Sequence, residues 1–227
     1  MLKSLIGNHP KDKLVATYRL QPLLHSVLIE GKEPNGLCGP LEDRFYEFAY
    51  VGIADPTDTG TFRVGETCAE AILSRISHPG LPCVNPLKNS GPSFHPRGGG
   101  TTNSSAAAPR TLRDELLQVI NLLGAFSTFH LSDGPARTLL QTLLADPTYN
   151  PFPHKAAIVN ALVRSVMKNR GWPPLAQKIA SLPDGRSWSF PGIAQALIKA
   201  EARYQEQLKN GRPVKIKPAG YYDDWVN

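Results

Sequence analysis

The stretch Phe45 to Ile76, FYEFAYVGIADPTDTGTFRVGETCAEAILSRI, constrains the fold more than any other part of this chain. Arg44 to Ile53 is dense in aromatic and β-branched residues, which fit a pleated, half-buried surface. Asp55-Pro56-Thr57-Asp58-Thr59-Gly60 carries turn chemistry: Pro presets φ, Asp side chains bond local backbone, and Gly permits a positive φ. Thr61 to Val64 alternates polar and apolar, as a strand with one buried face does. Gly65 breaks that strand, Thr67 and Glu70 stand at capping-box spacing, and Cys68, Ile72 and Ile76 recur at helical intervals beside Ala69 and Leu73. The segment predicts a ββα unit.

Upstream, Leu14 to Leu24 suits a strand or a short helix, with Pro22 limiting either. His25 to Glu30 predicts a short strand ending at Gly31. Downstream, Asn85 to Arg110 is built from Gly, Ser, Thr, Pro and Ala and has almost nothing to bury, the composition of a flexible linker. From Thr111 the pattern turns helical. Thr111 and Asp114 have capping-box spacing ahead of a stripe from Leu112 to Leu123 that ends at Gly124. Further helices are predicted over Pro135–Ala145, Pro153–Asn169 with Gly171 at its end, Pro174–Leu182, and from Pro191 to a stop before Gly211. The last presents Ile193, Leu197, Ala200, Tyr204 and Leu208. The expected architecture is α+β: a small ββα finger-like domain over 1–84, a linker over 85–110, a basic helical bundle over 111–211 and a polar tail over 212–227.

Composition narrows the function classes. No run of eighteen apolar residues exists, so no membrane span or membrane partner is expected. The first residues lack an apolar core of the kind a secretory signal needs. Three cysteines, an odd number, do not suggest a disulfide framework, and a reducing cytoplasm is the simplest compartment.

Charge is the strongest functional clue. Between Lys155 and Lys217 stand twelve Lys and Arg against three acids, a net of +9 within a chain whose formal charge is +6. A cationic face of this kind attracts polyanions, because neutralised phosphates release counterions. Lys155, Arg164, Lys168, Arg170, Lys178, Arg186, Lys199 and Arg203 are the candidate phosphate contacts, and Trp172 and Trp188 could stack on bases. The competing reading is a solvated basic face over a bundle with Trp in its core.

The cysteines give a second clue. Gly36-Leu37-Cys38-Gly39-Pro40 precedes the first hairpin strand, and Val64-Gly65-Glu66-Thr67-Cys68-Ala69 opens the helix. The pair resembles the knuckle and helix-start ligands of treble-clef cysteine fingers, over about forty residues. It departs from them at Asn35, where a first Cys would stand, and at Gly65, which has no second Cys nearby. The resemblance implies zinc held by Cys38 and Cys68, with Cys83 or His78 as a further ligand. Four-coordinate zinc needs four ligands, and the alternative is a finger that keeps its fold with no cofactor. Small cysteine-finger modules joined to a helical domain are similar to proteins of phages and plasmids. Among these is the finger-bearing large-subunit-like protein of type IV CRISPR effector complexes. That resemblance implies a subunit of an antiviral-defence or mobile-element ribonucleoprotein, contacting RNA or DNA and partner subunits without catalysis of its own.

Two further readings are open. Cys68 at a helix start could be an activated nucleophile, with His25, His78 or His95 as base, although no motif links them and no Walker A, HExxH or GxSxG signature occurs. Tyr221-Tyr222-Asp223-Asp224-Trp225 could recruit a protein partner, as could an exposed aromatic hairpin.

Overall fold

The computed structural model describes residues 9–29, 36–41, 43–85, 111–126, 134–182 and 189–211. The stretch suited to a strand or a helix supplies both: α1 (His9–Thr17) leads directly into β1 (Tyr18–Val27). Pro22 does not end the strand: it stays in register opposite Phe48, and the register shifts just after it, where a bulge leaves Leu23 unpaired in the ladder. The short strand predicted from His25 is therefore the second half of a longer one.

β2 (Arg44–Gly52) and β3 (Thr59–Gly65) form the hairpin that the aromatic run predicts. The sheet is antiparallel in the order β1-β2-β3. Asp55 fixes the hairpin connection by accepting hydrogen bonds from the Thr57 N–H at 2.9 Å and the Thr57 hydroxyl at 2.6 Å. α2 (Glu66–Arg75) follows without a break, so Thr67 already lies inside its first turn. The capping box expected there does not form, and Gly65 holds the N-cap with no side-chain hydrogen bond. After α2 the chain returns along β1, where Val84 N–H donates to His25 and Val27 N–H donates to Val84.

Both faces of the sheet are buried. On one, Tyr46, Phe48, Phe62 and Val64 pack with Leu14 of α1 and with Ala69, Ile72 and Leu73 of α2. Phe48 and Phe62 pair directly across the strands and stack at 5.4 Å. On the other face Glu47 pairs with Arg63 across the strands, and both side chains are completely buried. The alternation in Thr61–Val64 thus marks two interiors, one apolar and one containing an ion pair, rather than the single buried face the sequence predicts. The hairpin also presents no exposed aromatic surface, since Phe45, Tyr46, Phe48 and Phe62 are all buried and Tyr50 is half-buried.

The remaining elements are α3 (Leu112–Ala125), α4 (Pro135–Ala145), α5 (His154–Arg170), α6 (Leu175–Ala180) and α7 (Pro191–Lys209). The chain divides into two units, one comprising Met1–Phe94 with Asn121–Gln141, the other His95–Ile120 with Thr142–Asn227. In the first unit the last turn of α3 covers the Glu47–Arg63 face. Arg63 Nη2 donates to the Gly124 carbonyl at 3.2 Å, and Ile29 N–H donates to Ala125. Gly124 allows that approach, because a Cβ there would collide with the Leu24 side chain.

In the second unit, Thr111 and Asp114 form the reciprocal capping box at the start of α3, with Thr111 N–H bonded to Asp114 Oδ2 and Asp114 N–H to the Thr111 hydroxyl. α5 packs on α7, burying Val159 and Val163 on the former and Ile193, Leu197 and Ala200 on the latter. The stripe predicted for α7 stops there: Tyr204 is half-buried and Leu208 is exposed. The start of α7 is held by a residue from α3. Glu115, 1% exposed, accepts from Gly192 N–H at 3.1 Å and Ile193 N–H at 2.8 Å. Pro191 at the first position of the helix needs no partner.

Candidate nucleic-acid interface

The basic residues group around a corner of the second unit. α5 ends at Gly171, whose φ of 63° is left-handed. The Gly171 N–H donates to Lys168 and the Trp172 N–H to Met167, the paired bonds of a Schellman motif. This motif turns the chain back so that Trp172 lies against the end of the helix it has just left. Pro173 and Pro174 fix the next two φ angles, and α6 begins at Leu175.

A groove of about 690 Å³ lies along this corner. Asn160, Arg164, Ser165, Lys168 and Asn169 supply its polar lining, and Met167 and Trp172 are among its apolar residues. The Trp172 ring carries cations: Lys178 Nζ stands 4.6 Å from its centroid and the Arg170 guanidinium 5.9 Å away. Both distances lie within the range of cation–π attraction. Lys168 and Arg170 also occupy the last turn of α5, where cations complement the exposed carbonyls of the helix end.

Five of the ten predicted contact residues therefore come together: Arg164, Lys168, Arg170, Trp172 and Lys178. Lys155 is in the first turn of α5, close enough to His154 that it and Arg203 of α7, adding to burial, hold that imidazole below its ordinary pKa. Thirteen residues of helix, roughly 20 Å, separate Lys155 from Lys168. Lys199 and Arg203 are exposed on α7. Arg186, Trp188 and the aromatic-acidic tail lie outside the described residues, as does the predicted linker apart from Asn85. The features that sequence reading missed are the groove's neutral residues, Ser165, Met167 and Asn169. Their signal is the run Asn169-Arg170-Gly171-Trp172-Pro173-Pro174, a helix stop followed at once by an aromatic on a rigid chain.

The cysteines differ from the expectation of no disulfide. Cys38 and Cys68 are joined by a disulfide, with Cα atoms 6.7 Å apart, and both pack against the core of the sheet and α2. In this form the two sulfurs are bonded to each other. Cys83 is a half-buried thiol whose pKa is raised chiefly by burial. Among the described residues no group of three or more His, Cys, Asp or Glu side chains is placed to hold a metal. The bonded pair also removes the argument for a reducing compartment that rested on unpaired cysteines. No described helix is long and apolar enough to cross a membrane.

The two described histidines considered as bases have other partners. His25 is 7% exposed, donates from Nδ1 to the Leu81 carbonyl at 2.8 Å and stacks on Tyr46 at 4.0 Å. Its Nε2 stands 3.6 Å from Glu66 Oε1. Burial lowers the His25 pKa and Arg44 adds to this, against the opposing pull of Leu81 and Glu66. His78 Nδ1 accepts from the Gly80 N–H, and His95 lies outside the described residues. Comparison with family models, curated proteins and solved structures finds no match to this chain.

Proposed function

We propose that this protein binds nucleic acid without catalysis, as a subunit of a larger ribonucleoprotein or mobile-element assembly. One observation carries the reading: Arg164, Lys168, Arg170 and Lys178 gather with Trp172 around a single groove and its rim. Cations placed this way neutralise phosphates, and an aromatic among them offers a face to a base.

The test is a charge reversal. Arg164→Glu, Lys168→Glu and Lys178→Glu together should abolish binding to labelled RNA and DNA oligonucleotides at low salt, while far-ultraviolet circular dichroism is unchanged. The wild-type salt slope should fall by about 0.7 for each single-strand phosphate contact removed. Unchanged affinity in a folded triple variant would remove the basis of the reading. A protein-interaction surface would then be sought on α7, where Ile198 and Leu208 are about half exposed.

A further inference from the structure

The α5–α6 groove differs from a plain basic patch in what lies beneath its cations. Arg164 and Lys168 reach it from successive turns of α5, while Met167, Trp172, Pro174 and Leu175 give it an apolar floor. Ser165 and Asn169 add a hydroxyl and an amide, and the Asn169 amide donates to the Ser165 hydroxyl at 3.5 Å. A double helix keeps its bases stacked and paired. It would meet such a surface with phosphates alone and leave the floor in water. An unpaired nucleotide presents both a phosphate and an apolar base face, and so matches both halves of the groove. Size agrees, because about 690 Å³ lies within the range of pockets that hold one small ligand rather than a duplex.

The groove is also set before any ligand arrives. The left-handed Gly171, the two backbone bonds returning to Met167 and Lys168, and the Pro173-Pro174 pair all restrict Trp172. Little conformational freedom is left for binding to remove. Lys178 and Arg170 stand over the ring itself, 4.6 Å and 5.9 Å from its centroid, so a base takes a face of this indole by moving a flexible cation aside toward its own flanking phosphates.

Building on the nucleic-acid reading above, we propose that the groove is a single-strand site. The base of one unpaired nucleotide lies against Trp172, and its flanking phosphates meet Arg164 and Lys168.

The full chain would be titrated, by fluorescence anisotropy at fixed salt, with three labelled probes: a thymidine 12-mer, an abasic 12-mer with the same number of phosphates, and a 12-base-pair duplex. The thymidine strand should bind about 5- to 150-fold more tightly than the abasic strand, the range expected for one base stacked on an aromatic side chain. Trp172→Ala should reduce the thymidine affinity to the abasic level without changing the salt slope, and Trp172→Phe should restore most of the difference. In a Trp188→Phe/Trp225→Phe background, where Trp172 is the remaining indole of the three in the sequence, thymidine binding should quench fluorescence and abasic binding should not. Equal affinity for all three probes with no quenching would overturn the single-strand site while leaving phosphate-driven binding intact. Failure of all three to bind at low salt would overturn both.

Discussion

The Glu47–Arg63 pair gives the sharpest stability prediction. Both side chains are 0% exposed, with Arg63 Nε 2.9 Å from Glu47 Oε2. Arg63 also donates to the Gly124 carbonyl and lies 4.6 Å over the Phe45 ring. Removing one member of such a pair leaves the other charge buried without its counter-ion, which costs about 3–5 kcal/mol. Glu47→Leu should therefore destabilise by about 3–4 kcal/mol, since Arg63 keeps its carbonyl and its aromatic face. Arg63→Met should cost about 4–5 kcal/mol, because the Gly124 carbonyl also loses a donor. The double variant removes both charges, fills the space with apolar atoms and leaves the Gly124 carbonyl without its Arg63 donor, at about 1–3 kcal/mol. Urea unfolding followed by circular dichroism would give the four corners of the cycle. A coupling of at least about 2 kcal/mol is expected. If Glu47→Leu cost under 1 kcal/mol, or if the single effects simply added, the pair would not be the dry, mutually dependent unit described here.

Three more predictions follow from separate contacts. Denatured, unreduced protein should titrate one thiol and reduced protein three; closing the loop across 30 residues should contribute about 3–4 kcal/mol on the chain-entropy model. Reductant should accordingly lower the melting temperature of the wild type by about 6–16 °C and leave a Cys38→Ser/Cys68→Ser variant unmoved. Glu115→Ala should destabilise by about 1–3 kcal/mol, because two backbone donors of α7 lose their acceptor; a loss below about 0.5 kcal/mol would mean that water replaces the carboxylate at no cost. His25 has a folded-state pKa below its unfolded value, so its contribution is fully present above about pH 6.5 and is lost as pH falls toward the folded pKa. Stability between pH 6.5 and 5 should fall less steeply in His25→Phe, by up to about 1.4 kcal/mol per pH unit. Parallel pH profiles for wild type and variant would contradict this.

Local signals in the sequence were sufficient where a helix or strand is set by its own residues. The capping pair Thr111–Asp114, Pro191 at a first position, Gly171 at an end and the aromatic run of β2 all stand where pattern alone puts them. The failures have a shared cause. Arg63 reads as a solvent-facing strand residue because its partner Glu47 is sixteen residues away and the helix end above it is 61 away. Cys38 and Cys68 read as a pair of finger ligands, and the bond between them has no local signal in the sequence. Leu23 gives no sign of a bulge except the preceding Pro22. At the interface, charge revealed the cations, but the groove depends on how the chain turns after Gly171. That turn makes neighbours of Met167 and Trp172.

The carboxylate of Glu115 has a consequence for the order of folding. The residue at the N-cap of α7, Phe190, makes no side-chain cap bond, and the acceptors for Gly192 and Ile193 lie 77 and 78 residues earlier in the chain. Nucleation is the costly step for any helix, and here the group that favours it arrives only when α3 is in place. A peptide covering α7 alone should therefore fray at its first turn. In the whole chain that turn should be among the last amides to gain protection from hydrogen exchange, because a contact of such sequence separation forms only after a long loop has closed.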